Sequence, residues 1–201
     1  MMSLVRACTV SLALGLSLSG CASLEEAQND RAIAAYKAED YGTAVEIWAR
    51  LAERGNPRAQ NDIGVMYSLG TGVEQDKELA MVWFRKAAAQ GYALAQANIA
   101  DSYYNGDGVP QNDGEAARWY RLAALSGDNE SQFYMGEMSA KGLGMQRAPV
   151  RAFVWYQLAS DNGYEDAAPA LAVLSAGLND DQLNRANALL AECENSGLEA
   201  C

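Results

Sequence analysis

The chain reads as all-α: a solenoid of stacked antiparallel helix pairs. Three features predict this, each recurring at a strict spacing of 36 residues. A Gly-x-Gly loop stands at Gly70/Gly72, Gly106/Gly108 and Gly142/Gly144. A tryptophan follows at Trp83, Trp119 and Trp155, and a glycine closes each unit at Gly91, Gly127 and Gly163. A fixed period of roughly 30 to 40 residues marks arrays of helical hairpins, because one hairpin cannot bury its apolar face without a neighbour.

The first 20 residues lie outside this body. Arg6 gives a small positive start, and Ala7 to Leu18 is an almost uninterrupted run of Ala, Leu, Val and Ser. Spanning a bilayer takes roughly 20 apolar residues, so a cleaved signal peptide is expected at 1–20. It ends in Leu18-Ser19-Gly20-Cys21, which resembles a bacterial lipobox. That motif implies cleavage before Cys21 and a lipidated cysteine bearing a diacylglyceryl thioether and an N-terminal acyl chain. Ala22, rather than Asp, after the cysteine implies sorting to an outer membrane with the chain facing the periplasm. A soluble periplasmic or secreted protein is the other reading. Several acyl chains hold a protein durably where one binds only marginally. Residues 21–27 then form the lipidated start and a short linker.

The helical body opens with a divergent hairpin at 28–56. Its first helix runs from about 28 to 38, and the Glu39-Asp40 turn replaces the Gly-x-Gly loop. Asp40 to Gly55 repeats the second-helix pattern, with Ala44, Ile47, Trp48 and Leu51 in register. Three full units follow at 57–92, 93–128 and 129–164. The first helix of each carries a tiny residue at its centre: Gly64, Ala100, Gly136. Glycine inside a helix costs about 1 kcal/mol relative to alanine, so close approach of a partner helix is expected there.

In the loops, the first glycine is expected to end the helix in a left-handed conformation and the second to let the chain turn again. Val73, Val109 and Met145 should plug the gap between the helices. The second helices start near Asp76, Asn112 and Ala148. Asp76 can cap alone, Asn112 with Glu115 reads as a capping box, and Pro149 fits the first helical position. Along them, Ala80, Trp83, Phe84 and Ala87 recur as Ala116, Trp119, Tyr120 and Ala123, then as Ala152, Trp155, Tyr156 and Ala159. These spacings line one helix face, so the three tryptophans are expected to be packing residues rather than ligand contacts.

Residues 165–201 read as capping helices and a tail. Ala167 to Ser175 echoes a first helix, and Asn179 to Gln182 is a capping box opening a last helix to about Cys193. Once Cys21 is lipidated, Cys193 and Cys201 remain as an even pair in a compartment that permits disulfides. A bridge between them is expected, contributing about 2–3 kcal/mol in chain-entropy terms. A free or intermolecular thiol in a frayed tail is the alternative.

Composition narrows the function classes. The net charge is −11, which argues against nucleic acid and against binding anionic lipid by charge. It suits a basic partner, or solubility alone. There is no histidine, so the commonest general base and metal ligand is missing. No nucleophile-elbow, Ser-x-x-Lys or phosphate-binding glycine motif occurs. A calcium loop over Asp101–Asn112 would place Tyr103 and Asn112 where Asp or Asn and a bidentate Glu belong. The acidic clusters at Asp107/Asp113/Glu115, Asp161/Glu165/Asp166 and Asp180/Asp181 each have a local role as caps, first-turn charges or a solvated face, with a carboxylate-based hydrolase as the alternative reading of them. No enzyme activity, cofactor or metal is expected.

The three units resemble the Sel1-like repeats, relatives of the tetratricopeptide repeat with a longer connecting loop. The first carries the pattern at Ala59, Ile63-Gly64, Tyr67, Gly70, Gly72-Val73, Asp76, Ala80, Trp83-Phe84, Ala87-Ala88 and Gly91. The second keeps most of it with Ala100 for the helix glycine, and the third has Ser139 for the tyrosine and Met145 for the valine. The resemblance implies a right-handed superhelix whose concave side recognises a protein or peptide, in an adaptor of the cell envelope. It also implies two further readings, a structural subunit of a secretion or flagellar machine, and a β-lactam-binding or hydrolysing branch. That branch carries cysteines within its repeats, whereas Cys193 and Cys201 lie outside them.

The non-core positions of the first helices are the candidate partner-binding face: Asn61, Asp62, Asn98, Asp101, Ser102 and Tyr134. Asp62, Asn98 and Tyr134 occupy equivalent positions and form a row.

Overall fold

The computed structural model describes residues 18–198 and 201, with side chains from Leu24 onward. The rest of the expected signal peptide and the side chain of Cys21 lie outside the described residues. Ten α-helices and no strand are found among the described residues. They are α1 (Leu18–Lys37), α2 (Tyr41–Glu53), α3 (Pro57–Leu69), α4 (Lys77–Ala88), α5 (Ala93–Asn105), α6 (Asp113–Leu125), α7 (Asn129–Lys141), α8 (Pro149–Asp161), α9 (Ala167–Ala176) and α10 (Asp180–Asn195). The first eight pair as hairpins, and each hairpin stacks on the next.

α1 starts earlier than expected and takes in the stretch 21–27 read as a linker. That stretch holds no proline, and Ala22, Leu24, Glu25, Glu26 and Ala27 are competent helix formers. The Glu25 carboxylate also accepts from Asn56 Nδ2 at 3.1 Å, which ties this turn to the start of α3. Further along, buried Asn29 accepts from Trp48 Nε1 at 3.1 Å.

Close helix approach explains the small central residues. A Cβ on Gly64 would come within 2.7 Å of the Phe84 ring, and one on Gly136 within 2.5 Å of Tyr156. The first loop glycines cap their helices in the left-handed region, with φ of 70°, 78° and 76° at Gly70, Gly106 and Gly142. The second glycines turn the chain and also serve the stacking. A Cβ on Gly108 would lie 2.5 Å from the carbonyl oxygen of Lys77, and one on Gly144 would collide with that of Asp113. Each loop thus rests on the first residue of the preceding unit's second helix.

Asp76 caps α4 by accepting from Leu79 N, and Pro149 opens α8 without a side-chain cap. The expected capping box at Asn112 is only half made. Its side chain accepts from Glu115 N at 3.1 Å, but the Glu115 carboxylate turns to Arg118 at 2.7 Å. The Asn112 N–H already donates to the Tyr103 carbonyl at 2.9 Å, so no donor is left to reward the return bond. The box at Asn179 and Gln182 is complete.

Trp48 and Trp155 are buried, while Trp83 and Trp119 are half-buried. Trp83 lies against the core of α1–α3, and Trp119 against that of α4 and α5, so each couples its unit to the one before. Lys86 Nζ sits 3.7 Å over the Trp83 ring, using its outer face. At the C-terminal end, α9 and α10 both pack on α8 rather than forming another hairpin. Cys193 and Cys201 are joined in a disulfide with Cα atoms 5.2 Å apart. Both are buried in the cluster that holds Met138, Trp155 and Leu158.

A row of buried amides adds a clasp absent from the sequence-based expectations. Gln60 Nε2 donates to the Ala52 carbonyl at 3.1 Å, and Gln60 Oε1 accepts from Gln90 at 2.9 Å. Two units later, Gln132 donates to Ala124 at 3.2 Å and accepts from Asn162 at 2.9 Å. In the middle unit, Ser126 stands where Gln90 and Asn162 do, and its hydroxyl turns back to the Leu122 carbonyl. Gln96 Oε1 is left buried without a partner. Ser126→Asn should supply the missing donor and stabilise the fold by about 1 kcal/mol, read as a higher urea midpoint at unchanged slope. An unchanged midpoint would show that residue 126 cannot reach Gln96.

Candidate partner-binding face

The first helices α3, α5 and α7 bring polar and aromatic side chains into two networks. In the network on α3 and α5, Asn98 Nδ2 donates to Asn61 Oδ1 at 2.8 Å, and Asn61 Nδ2 donates to Asp62 Oδ1 at 3.2 Å. Arg58 lies one helical turn from Asp62, at 3.9 Å. Burial pushes the Asp62 carboxyl above its ordinary range, against the lowering effects of the Asn61 bond and the Arg58 charge. The hydroxyl of nearby Tyr92 is held up by burial and by the Asp62 charge.

The second network centres on Asp101 and Tyr120. The Tyr120 hydroxyl donates to Asp101 Oδ1, and its ring stacks on Tyr134 with centroids 4.9 Å apart. Tyr104 closes on Tyr134 at 6.0 Å, while Phe133 reaches Tyr134 at 5.7 Å and Tyr164 at 4.9 Å. Carboxylates surround these rings. Burial raises the Asp101 carboxyl, the Tyr120 bond lowers it, and the Asp128 charge raises it again. Glu130 is raised by burial and by Asp101 and Asp128. Burial and these neighbouring acids also raise Tyr134 and Tyr164. Negative charge and partly exposed aromatic rings therefore occupy one surface.

Between α3 and α5 a cleft of about 180 Å³ is lined by Val65, Ser68, Leu69, Phe84, Asn98, Asp101, Ser102 and Asp107. Lys77 reaches Asp107 at 2.6 Å on its margin. Asp101 and Asp107, which fall within the segment set aside above as a calcium loop, have partners in Tyr120 and Lys77.

Of the six expected face residues, Asp62, Asn98, Asp101 and Tyr134 are partly open. Asn61 and Ser102 are not, at 4% and 8% exposure. Asn61 is sealed between its two amide and carboxylate partners. The Ser102 hydroxyl donates to the Asn98 carbonyl at 2.8 Å, satisfying itself within its own helix. The row at 62, 98 and 134 divides, with the first two in one network and Tyr134 in the other. Sequence reasoning missed Arg58, Tyr92, Glu130, Phe133 and Tyr164, and assigned Tyr120 to packing alone. One signal was present: Tyr92, Asp128 and Tyr164 each follow a closing glycine at the same spacing.

Among the described residues no helix is long and apolar enough to cross a membrane. No cluster of three or more His, Cys, Asp or Glu residues there could hold a metal ion.

The Sel1 repeat model matches residues 57–92, 93–128 and 129–164. A Sel1 repeat protein from Oxalobacter formigenes is 32% identical, with a TM-score of 0.71 over 85% of this chain and 78% of that one. A protective antigen of uropathogenic Escherichia coli, described as displaying an SLR fold, is also 32% identical. Its TM-score is 0.72, and the match covers 84% of this chain but only 38% of the antigen. Cysteine-rich protein B of Helicobacter pylori matches with a TM-score of 0.53 at 21% identity, over 66% of this chain and 95% of that one, a likeness of fold alone. No curated protein matches. With its three repeats spanning more than half its length, the chain belongs to the Sel1 repeat family, a family of protein-interaction scaffolds.

Proposed function

We propose that this protein is a non-catalytic adaptor, lipid-anchored through Cys21 on the periplasmic side of a bacterial outer membrane, that docks a basic segment of another envelope protein. The observation that carries this reading is the acidic, aromatic surface of the first helices. Asp101, Asp128 and Glu130 lie there with Tyr134, Phe133 and Tyr164, and Asp62 adds its charge from the network of α3 and α5. Carboxylates attract a basic chain at a distance and fix its register. Aromatic rings offer guanidinium and ammonium groups a cation–π face at contact. The net charge of −11 acts in the same direction.

Crosslinking in the native envelope, followed by purification, tests the face. Wild type is compared with a triple variant of Asp62→Asn, Asp101→Asn and Glu130→Gln. One salt-sensitive partner present with wild type and lost with the variant supports docking here; an unchanged partner set overturns it. The anchor is tested separately. Cys21→Ser should shift the protein from the membrane to the soluble fraction, and retention on the membrane would refute lipid anchoring.

A second reading, a structural subunit of an envelope machine, draws on α9. That helix is apolar, yet only Ala167 along it is buried, and Val173 is 79% exposed.

A further inference from the structure

The cleft between α3 and α5 has two chemically distinct walls. Val65, Leu69 and Phe84 supply apolar surface, and Leu69 is 60% exposed, so part of that surface meets water in the free protein. Asn98, Asp101, Ser102 and Asp107 supply the polar wall. Ser68 adds a hydroxyl to the lining, while two of the donors on the polar wall are already engaged. Asn98 Nδ2 donates to Asn61, and the Ser102 hydroxyl donates to the Asn98 carbonyl. The charged capacity that remains is acceptor capacity on the carboxylates. A carboxylate has about four lone-pair sites, and the Tyr120 hydroxyl uses one of those on Asp101.

Size selects the kind of occupant. Pockets for small ligands run to roughly 300–1,000 Å³. At about 180 Å³ this cleft is nearer to one long side chain. Lysine and arginine combine an apolar stem with a head that only donates hydrogen bonds, which matches both walls. A ligand acid would meet Asp101 and Asp107, and a purely apolar side chain would desolvate Asp101 without giving it a counter-charge. The molecule itself places an ammonium on this margin, since Lys77 Nζ lies 2.6 Å from Asp107 Oδ1.

We propose that this cleft is an anchor pocket for a single lysine or arginine side chain of the docked partner, its stem on Val65, Leu69 and Phe84 and its cation on Asp101. The proposal deepens the reading of a basic partner and rests on it. Binding buries the exposed edge of Leu69 and gives the half-buried Asp101 its missing counter-charge. Partial exclusion of water strengthens that pairing beyond a surface ion pair. Asp107 serves as a second acceptor once its exposed pair with Lys77 exchanges.

The test is a titration of the full chain labelled at its methyls and backbone amides, followed by NMR, with the methylamides of N-acetyl-lysine, N-acetyl-arginine and N-acetyl-norleucine. The two cationic probes should shift the Val65 and Leu69 methyls saturably, and norleucine, which keeps the stem but not the charge, should bind at least tenfold more weakly. Asp101→Asn, which still offers Tyr120 an acceptor, should abolish the preference for cations while the remaining spectrum is unchanged. Equal binding of norleucine, or an Asp101→Asn protein that titrates like wild type, would overturn the pocket. An arginine-rich decapeptide separates this from the broader reading. Shifts at Glu130 and Tyr134 with none at Val65 and Leu69 remove the pocket and leave the docking face. No shift anywhere on α3, α5 or α7 removes both.

Discussion

Gly144→Ala is expected to destabilise the protein by roughly 2–5 kcal/mol, a large part of the 5–15 kcal/mol that holds a typical domain together. Two costs combine. At φ +64° an alanine sits in the left-handed region, at about 1–2 kcal/mol. Its Cβ would also strike the Asp113 carbonyl at the start of α6, and forced repacking of that kind costs about 1–3 kcal/mol. Backbone on both sides leaves no flexible side chain to move aside. Gly127→Ala is the control. Its φ is +89°, but nothing lies within 4 Å of the added Cβ, so only the conformational cost of about 1–2 kcal/mol applies. Urea unfolding of the two variants measures the difference. Equal losses would mean that the loop rests less tightly on α6 than its geometry requires.

The double variant Asp62→Asn, Asp101→Asn should melt higher than wild type at neutral pH, yet lose a basic partner by tenfold or more. Asp62 is held up mainly by burial, with Asn61, Arg58 and Tyr92 facing it. Asp101 is held up mainly by burial, with Tyr120, Asp128, Glu130, Tyr134 and Tyr164 around it. A carboxyl raised in the folded state binds its proton more tightly folded than unfolded. Its stabilising contribution is therefore complete below the ordinary carboxylate value and is lost as pH rises through the raised one. Acidification from neutrality should narrow the stability gap between wild type and variant, and melting curves across pH measure it. A variant that melts lower at pH 7 would show that the two carboxylates serve the fold. Glu130 contributes less to this effect, because it is exposed and solvent screens its charge.

Much of the architecture was legible because its constraints are local and periodic. Helix-ending glycines, a tryptophan on one helix face and a tiny residue at a crossing each leave a mark at fixed spacing. What escaped were relations between units. That Gly108 and Gly144 rest on Lys77 and Asp113 is invisible in either segment alone, although Tyr41, Lys77 and Asp113 share the same spacing. The amides at Gln60, Gln96 and Gln132 recur too, but a polar residue in a helix reads as solvent-facing until a neighbouring carbonyl is seen to take its N–H. The same ambiguity misplaced Asn61 and Ser102. Conversely, Tyr120 is a core residue, as its register implies, but its hydroxyl extends past the core to Asp101.

The unmet Gln96 lies where α4 meets α5. A linear array stores its cohesion separately at each junction. This junction keeps its apolar core of Ala80, Phe84, Ala88, Ala95 and Ile99 but lacks the buried amide clasp, and its polar pairs, Lys77 with Asp107 and Arg85 with Tyr103, are exposed ones that water weakens. Leu69, at the end of α3, and Asp101, on α5, lie on opposite sides of this junction. A side chain seated between those two residues would bridge the units on either side, so that occupancy of one small cleft should add cohesion at the junction whose amide clasp is incomplete.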